Sequence, residues 1–357
     1  MEFPAEHKRI NKILVVGPAW IGDMMMAQSL FKILKIRNPK VQIDVLASGW
    51  TRLLLACMPE INHVIDMPLG HGALGLQARY RLGKSLRDKH YEQAILLPNS
   101  LKSALIPFFA KIPLRTGWRG EMRYGLLNDL RVLDKNKYPL MVQRYMALAF
   151  PANATLPEVF PYPELVLANE SRAQLLTKFT LHLQRPLLIL CPGAEYGPSK
   201  RWPESYYAEV AAEKIRDGWQ VWLLGSAKDH PVAETIRAQL PVDARQYSFN
   251  LAGTTNLGEA LALMACADAV LSNDSGLMHI AAALQKPLVV VYGSTSPDFT
   301  PPLAKHVRIV KNKIECSPCF ERECPKVHHK CMQELMPARV LNALTELLPA
   351  TLAVTKN

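Results

Sequence analysis

The stretch Asn273-Asp274-Ser275-Gly276-Leu277-Met278-His279 has residue types that suit a phosphate-bearing ligand. It follows a short apolar run that begins at Ala269. An alanine-rich segment comes next, then a second apolar run from Pro287 to Tyr292, closed by Gly293. This order predicts a strand, a tight turn, a helix and a strand, which is a βαβ unit. Asp274 and Ser275 fall at N-cap positions, and Gly276 lets backbone approach whatever docks there. The start of such a helix offers free N–H groups and the positive end of its dipole, a setting for an anion such as a diphosphate. His279 lies one turn further on, on the side of Ser275. An ordinary capped helix fits these residues equally well, so other stretches must decide.

Three do. Gly17 and Gly22 follow the buried run Ile13 to Val16 with the glycine spacing of a phosphate loop, but Asp23 stands where that loop needs lysine. An acid there repels phosphate. At the carboxyl end of a first strand it faces the crevice of an open α/β sheet and can take a proton from a hydroxyl, or else cap its helix. Lys200, in the loop Pro192 to Pro203, lies just before a predicted helix at Glu204 to Arg216 and can meet a diphosphate. Asp229, after the strand Gln220 to Leu224, can accept from ribose hydroxyls or cap the helix that follows Pro231.

The elements that must position these residues alternate along the whole chain. Strands are predicted at 13–17, 41–47, 64–67 and 93–97, with helices between them, and the pattern restarts at Leu187. Alternation of this kind predicts α/β domains, each a doubly wound parallel sheet with helices on both faces. A chain of 357 residues, 49% apolar, supports two of them. The boundaries expected are 1–165 for a first domain, 166–185 for a linker with one helix from about residue 168 to 179, and 186–335 for a second domain. A last helix in 336–357 is expected to pack back on the first domain.

The chain carries a net charge of +11. Between Lys102 and Arg144 there are nine basic and three acidic residues, which points to an anionic partner. Arg115, Arg119 and Arg123 recur every fourth residue, as a cationic stripe if helical, although Gly117 and Gly120 favour a loop. Guanidinium forks so placed suit carboxylates or phosphates. No nucleic-acid module is evident. The start, Met1 to Arg9, is polar and unlike a signal peptide. No apolar run reaches the roughly 18 residues of a membrane span. A cytoplasmic protein is therefore expected, with its seven cysteines as thiols or metal ligands. Cys316, Cys319, Cys324 and Cys331 could form a tetrahedral zinc site, or remain thiols. No Asp-x-Asp metal signature stands where phosphate should sit, so a phosphate site that needs neither a catalytic metal nor a cofactor is expected.

Assembled, these motifs resemble those of the bacterial lipopolysaccharide heptosyltransferases that use ADP-heptose, nearest to the type II members. The matching stretches are Gly17-Pro18-Ala19-Trp20-Ile21-Gly22-Asp23-Met24, Met67-Pro68-Leu69-Gly70-His71-Gly72, Pro98-Asn99-Ser100, 115–123, Cys191-Pro192-Gly193-Ala194-Glu195 and 273–279. The resemblance runs from about residue 11 to 348. It implies a GT-B fold, two Rossmann-like domains facing across a cleft with the donor on the second. It implies ADP-L-glycero-D-manno-heptose as donor, and as acceptor the heptose on Kdo-lipid A at the inner face of the cytoplasmic membrane, reached by a peripherally bound monomer. Asp23 then matches the general base. Lys200, Ser275 and Gly276 match the diphosphate site, Asp274 and His279 lie near the donor sugar, and Asp229 matches an acid at the ribose. Lys102, Arg115, Arg119 and Arg123 would meet the acceptor's carboxylates and phosphates. Three rival readings remain: a type I or III acceptor choice, a sugar-nucleotide epimerase, and a non-catalytic protein that binds anionic lipid.

Overall fold

The computed structural model describes residues 10–70, 72–167 and 172–348. His71 of the 67–72 motif, the polar start, the expected beginning of the linker helix and the last nine residues lie outside that description. The chain divides into two units, 1–166 and 167–357.

The first unit runs β1 (Lys12–Val16), α1 (Ile21–Arg37), β2 (Gln42–Ala47), α2 (Arg52–Leu55), β3 (His63–Asp66), α3 (Leu76–Ser85), β4 (Gln93–Leu96), α4 (Leu101–Phe109), β5 (Leu114–Trp118), β6 (Asp129–Arg131) and α5 (Met141–Met146). Its sheet is ordered β3-β2-β1-β4-β5-β6 and every pairing is parallel. Parallel strands covered on both faces need continuous apolar runs, which is why Ile13 to Val16 and Ala94 to Leu96 are fully buried. Helix α1 begins three residues before the predicted start. Asp23 therefore lies inside its first turn, where the helix dipole complements an acid, and Lys35 and Arg37 close its last turn. The segment Pro161 to Glu164 is laid along α1. Ser29 Oγ donates to the Pro161 carbonyl at 2.7 Å, and the buried Gln28 amide bonds both N–H and C=O of Glu164. That segment belongs to the first unit.

The second unit runs α6 (Arg172–Lys178), β7 (Leu187–Cys191), α7 (Glu204–Arg216), β8 (Gln220–Leu223), α8 (His230–Ala238), β9 (Ser248–Asn250), α9 (Leu257–Met264), β10 (Ala269–Asn273), α10 (Gly276–Ala283), β11 (Leu288–Tyr292), β12 (Val307–Lys311), α11 (Lys330–Gln333) and α12 (Pro337–Leu347). Its sheet is ordered β12-β11-β10-β7-β8-β9, again all parallel. Counted from its own first strand, this is the order of the first sheet. Both are the Rossmann order 3-2-1-4-5-6, in which the chain switches direction between the first and fourth strands and ligands bind beyond the carboxyl ends there. Helix α7 spans the predicted residues. It buries Tyr207, Ala208, Val210, Ala211 and Ile215, one helical face, against the sheet.

Helix α12 corrects an expectation. Val340, Ala343 and Leu344 are buried in the core of the second unit beside β11, β12 and α7. Its apolar stripe is the cover for the β12 edge of that sheet, so the described part of the C-terminal helix belongs to the second unit. Among the described residues no helix is long and apolar enough to cross a membrane.

Candidate functional site

In the second unit the direction switch falls between β7 and β10; Lys200 follows β7, the 274–279 residues follow β10, and Asp229 follows the neighbouring β8. Strand β10 ends in Asn273, which is fully buried. Its amide oxygen accepts from the Trp202 backbone N–H at 3.2 Å and from the Tyr207 hydroxyl at 3.0 Å. Its amide nitrogen donates to the Pro192 carbonyl at 2.6 Å. One side chain thus fastens the loop after β7 and the start of α7 to the end of β10.

Asp274 does not cap α10. Its carboxylate turns to Lys200, whose Nζ donates to Oδ2 at 2.6 Å, and to the Thr295 hydroxyl. Both side chains of the ion pair are largely shielded, 13% exposed for Lys200 and 4% for Asp274. Ser275 is the N-cap residue of α10, in an extended conformation, but its hydroxyl makes no capping bond. The hydroxyl instead lies 3.3 Å from that of Ser272. The expected N-cap role of these two side chains is therefore corrected: the first-turn N–H groups of α10 are left without a side-chain acceptor, as an anion site requires. His279 is buried in the first turn of α10. Burial pushes its imidazole down to about 4, Asp274 pulling it up and Lys200 pushing it further down. It is neutral at physiological pH.

Asp229 stands beyond β8. Its Oδ2 accepts from the backbone N–H and the hydroxyl of Ser226, at 2.9 and 2.8 Å. Its Oδ1 is 4.0 Å from Arg201. A Cβ at Gly193 would come within 2.5 Å of this carboxylate and one at Gly225 within 2.8 Å of its Cβ, so two glycines admit it between the strand ends. Asp229 is the N-cap residue of α8, but its side chain makes no capping bond to that helix; it forms a capping box with Ser226 on the short helical turn 227–229.

In the first unit the switch lies between β1 and β4, and Asp23 stands beyond β1. The buried Tyr145 of α5 donates its hydroxyl to the Asp23 carboxylate. Burial and this carboxylate hold the phenol well above its usual range.

The four predicted acceptor cations separate. Arg123 is fully buried. Its guanidinium donates to the Pro98 carbonyl at 2.7 Å, to Asn99 Oδ1 at 3.2 Å, to Ser103 Oγ and to the Trp118 carbonyl. It braces the 98–103 turn, and it is not a surface for an acceptor. Arg115 donates to the carbonyls of Leu126 and Ile112, both at 2.6 Å, and lies over the Phe108 ring. Arg115 to Trp118 belong to β5, neither a helix nor a loop. Arg119 is exposed at the end of β5 and Lys102 is half-buried in the first turn of α4. Only those two keep an anion-binding reading.

A family model for glycosyltransferase family 9 (heptosyltransferase) matches residues 79–330. The chain is 52% identical to lipopolysaccharide heptosyltransferase 2 of Salmonella typhimurium, over 94% of this chain and 98% of that protein. Against lipopolysaccharide heptosyltransferase 2 of Escherichia coli K12 the identity is 50% with the same coverage. The solved structure of E. coli ADP-heptose LPS heptosyltransferase II matches with a TM-score of 0.85 at 48% identity, covering 94% of this chain and 98% of that one. The chain belongs to glycosyltransferase family 9, the heptosyltransferases.

For a family 9 chain the unexpected residues are Thr295, which shares the Asp274 carboxylate with Lys200, and Tyr145 on Asp23. The run Gly293-Ser294-Thr295-Ser296, small and hydroxylic at the end of β11, is the signal that marks the first. Nothing in sequence spacing brings residue 145 to residue 23. Cys316, Cys319, Cys324 and Cys331 line one small cavity of about 20 Å³ with His328 and His329. The nearest approach described is 4.0 Å from Cys316 Sγ to His328 Nε2. Among the described residues no three His, Cys, Asp or Glu side chains are disposed to hold a metal ion, and the four cysteines are free of disulfides. What orders the tail is hydrogen bonding to the loops beside it.

Proposed function

We propose that this family 9 glycosyltransferase transfers L-glycero-D-manno-heptose from ADP-heptose to the first heptose of a Kdo-lipid A acceptor, in assembly of the lipopolysaccharide inner core. The carrying observation is the start of α10, where uncapped N–H groups stand beside Lys200 at the direction switch of a Rossmann sheet. The half-identical heptosyltransferases support ADP-heptose as donor and lipopolysaccharide as acceptor class, and the sugar's configuration and the acceptor heptose rest on the motif resemblance.

In this reading the second unit holds the donor. The α10 amides and Lys200 meet its diphosphate, Asp229 accepts from the ribose, and Asp274 and neutral His279 face the sugar. The first unit supplies the base. Asp23 takes the proton of the acceptor hydroxyl as that oxygen bonds the anomeric carbon from the face opposite the diphosphate. The bond from the anomeric carbon to the leaving oxygen breaks, its electron pair goes to ADP, and the configuration inverts. Positive charge fixed beforehand around the diphosphate stabilises it most where its charge grows. Tyr145 donates to the same carboxylate. Arg119 and Lys102 meet the anionic groups of the acceptor at the membrane face.

The test is mass-spectrometric detection of transfer from ADP-heptose to purified acceptors bearing no, one or two heptoses. Product only from the one-heptose acceptor is expected. Product from the acceptor without heptose would assign the type I step, and conversion of the donor alone to an isomer would replace transfer by epimerisation. Activity is expected to persist in excess EDTA.

A further inference from the structure

The cysteine-rich segment is fastened to the loop that carries Lys200. The Tyr196 hydroxyl donates to the Phe320 carbonyl at 2.5 Å. The buried Ser199 backbone N–H donates to the Arg322 carbonyl at 3.1 Å, and its hydroxyl donates to the Glu321 carbonyl at 2.5 Å. That same hydroxyl lies 2.9 Å from the Ser294 hydroxyl. Phe320 N–H donates to the Ser294 carbonyl at 2.7 Å and Ser317 Oγ to the Gly293 carbonyl at 2.6 Å. A Cβ on Gly197 would stand 2.3 Å from the Arg322 carbonyl oxygen, so the two segments touch backbone to backbone. The Tyr196 ring centre lies 4.8 Å from Lys200 Nζ and 5.5 Å from the Arg322 guanidinium carbon.

We infer that residues 317–322 act as a brace that sets the position of the Lys200 ammonium, with Tyr196 and Ser199 as positioning residues for donor binding. This rests on the reading of Lys200 as a diphosphate contact. Lys200 is four rotatable bonds long, and a point charge on such a stem binds an anion well only if its backbone is fixed. The loop from Pro192 to Pro203 contains one short turn of helix, at 198–200, and Asn273 holds it at its two ends, Pro192 and Trp202, which leaves the middle of the loop to be fixed. The brace supplies what the loop lacks, and it connects the Lys200 loop with the Gly293–Ser296 turn that holds Thr295 against Asp274.

ADP titration by calorimetry tests this on the full-length chain. Ser199→Ala should weaken ADP binding roughly tenfold, the size of a lost buried hydrogen bond. The acceptor KM should change by less than about twofold. Tyr196→Phe, which keeps the ring and removes only the bond to the tail, should act in the same direction and more weakly, and it serves if Ser199→Ala does not fold. On a Lys200→Ala background the Ser199 substitution should add less than about twofold, because the two act through one group. A full Ser199 effect on that background, or normal ADP affinity in both single variants, overturns the brace. Normal ADP affinity in Lys200→Ala overturns the donor-site reading itself, and is told apart from failure of the brace by that variant alone.

Discussion

The two units share one strand order and use their positive charge in opposite ways. In the first, the arginines gathered around β5 and β6 turn inward. Arg115, Arg123, Arg131 and Arg144 each donate to backbone carbonyls of the irregular segments around them. In the second, Lys200 is held by one acid beside a helix start that no side chain caps. These four arginines of the first unit brace irregular backbone, whereas Lys200 of the second stands beside an uncapped helix start. Local abundance of charge is thus a poor guide to where an anion binds; the better guide is a donor whose surroundings leave it something to do.

Substitutions at the acid and the lysine probe the functional side of that contrast and should have the largest effects. Asp23→Asn should lower kcat by about 10²- to 10⁴-fold with ADP affinity retained, measured by steady-state transfer and calorimetry. Lys200→Ala should cost about 10²-fold or more in kcat/KM, with the thermal midpoint little changed. An Asp23→Asn protein of normal kcat would remove the base from the mechanism.

Arg123→Ala probes the structural side. It strands the Pro98 and Trp118 carbonyls in a buried setting, and about 3 kcal/mol of stability should be lost, read as a lower urea midpoint. A variant that instead keeps its stability and loses acceptor affinity would restore Arg123 to the acceptor site. His279 supplies a pH test. Its depressed value means that the unfolded chain binds a proton between about pH 6.5 and 4 while the folded chain does not. Its contribution is fully present above pH 6.5 and is lost as pH falls toward 4, about 3 kcal/mol at most. His279→Asn should flatten the urea midpoint over that interval. The smallest effect is expected from Arg119→Glu, a few-fold rise in acceptor KM that fades at high salt, with stability unchanged.

The same contrast explains what the sequence could tell. Unbroken apolar runs such as Leu187 to Cys191 and Leu288 to Tyr292 announce buried parallel strands, and the helix at Glu204 to Arg216 is legible to the residue. Strand β5 is not, because Arg115 and Gly117 interrupt its apolar pattern, and β12 is an edge strand whose Arg308 and Ile309 both face solvent. The residues expected at the donor lie on the loops and helix starts that follow β7, β8 and β10, positions that the alternation of strands and helices already marks. The arginines mislead because a fourfold spacing says nothing of whether a guanidinium meets water or a carbonyl. The Tyr145 contact joins residues far apart in the chain and has no local trace.

Asn273 has a consequence for how this site tolerates change. With two donors converging on its oxygen and one acceptor on its nitrogen, the amide has a single workable orientation. Aspartate in its place would set an anion against the Pro192 carbonyl, and leucine would leave three buried partners unmet. The register between the β7 loop and the start of α10 therefore depends on this buried amide, and either substitution would disturb both at once.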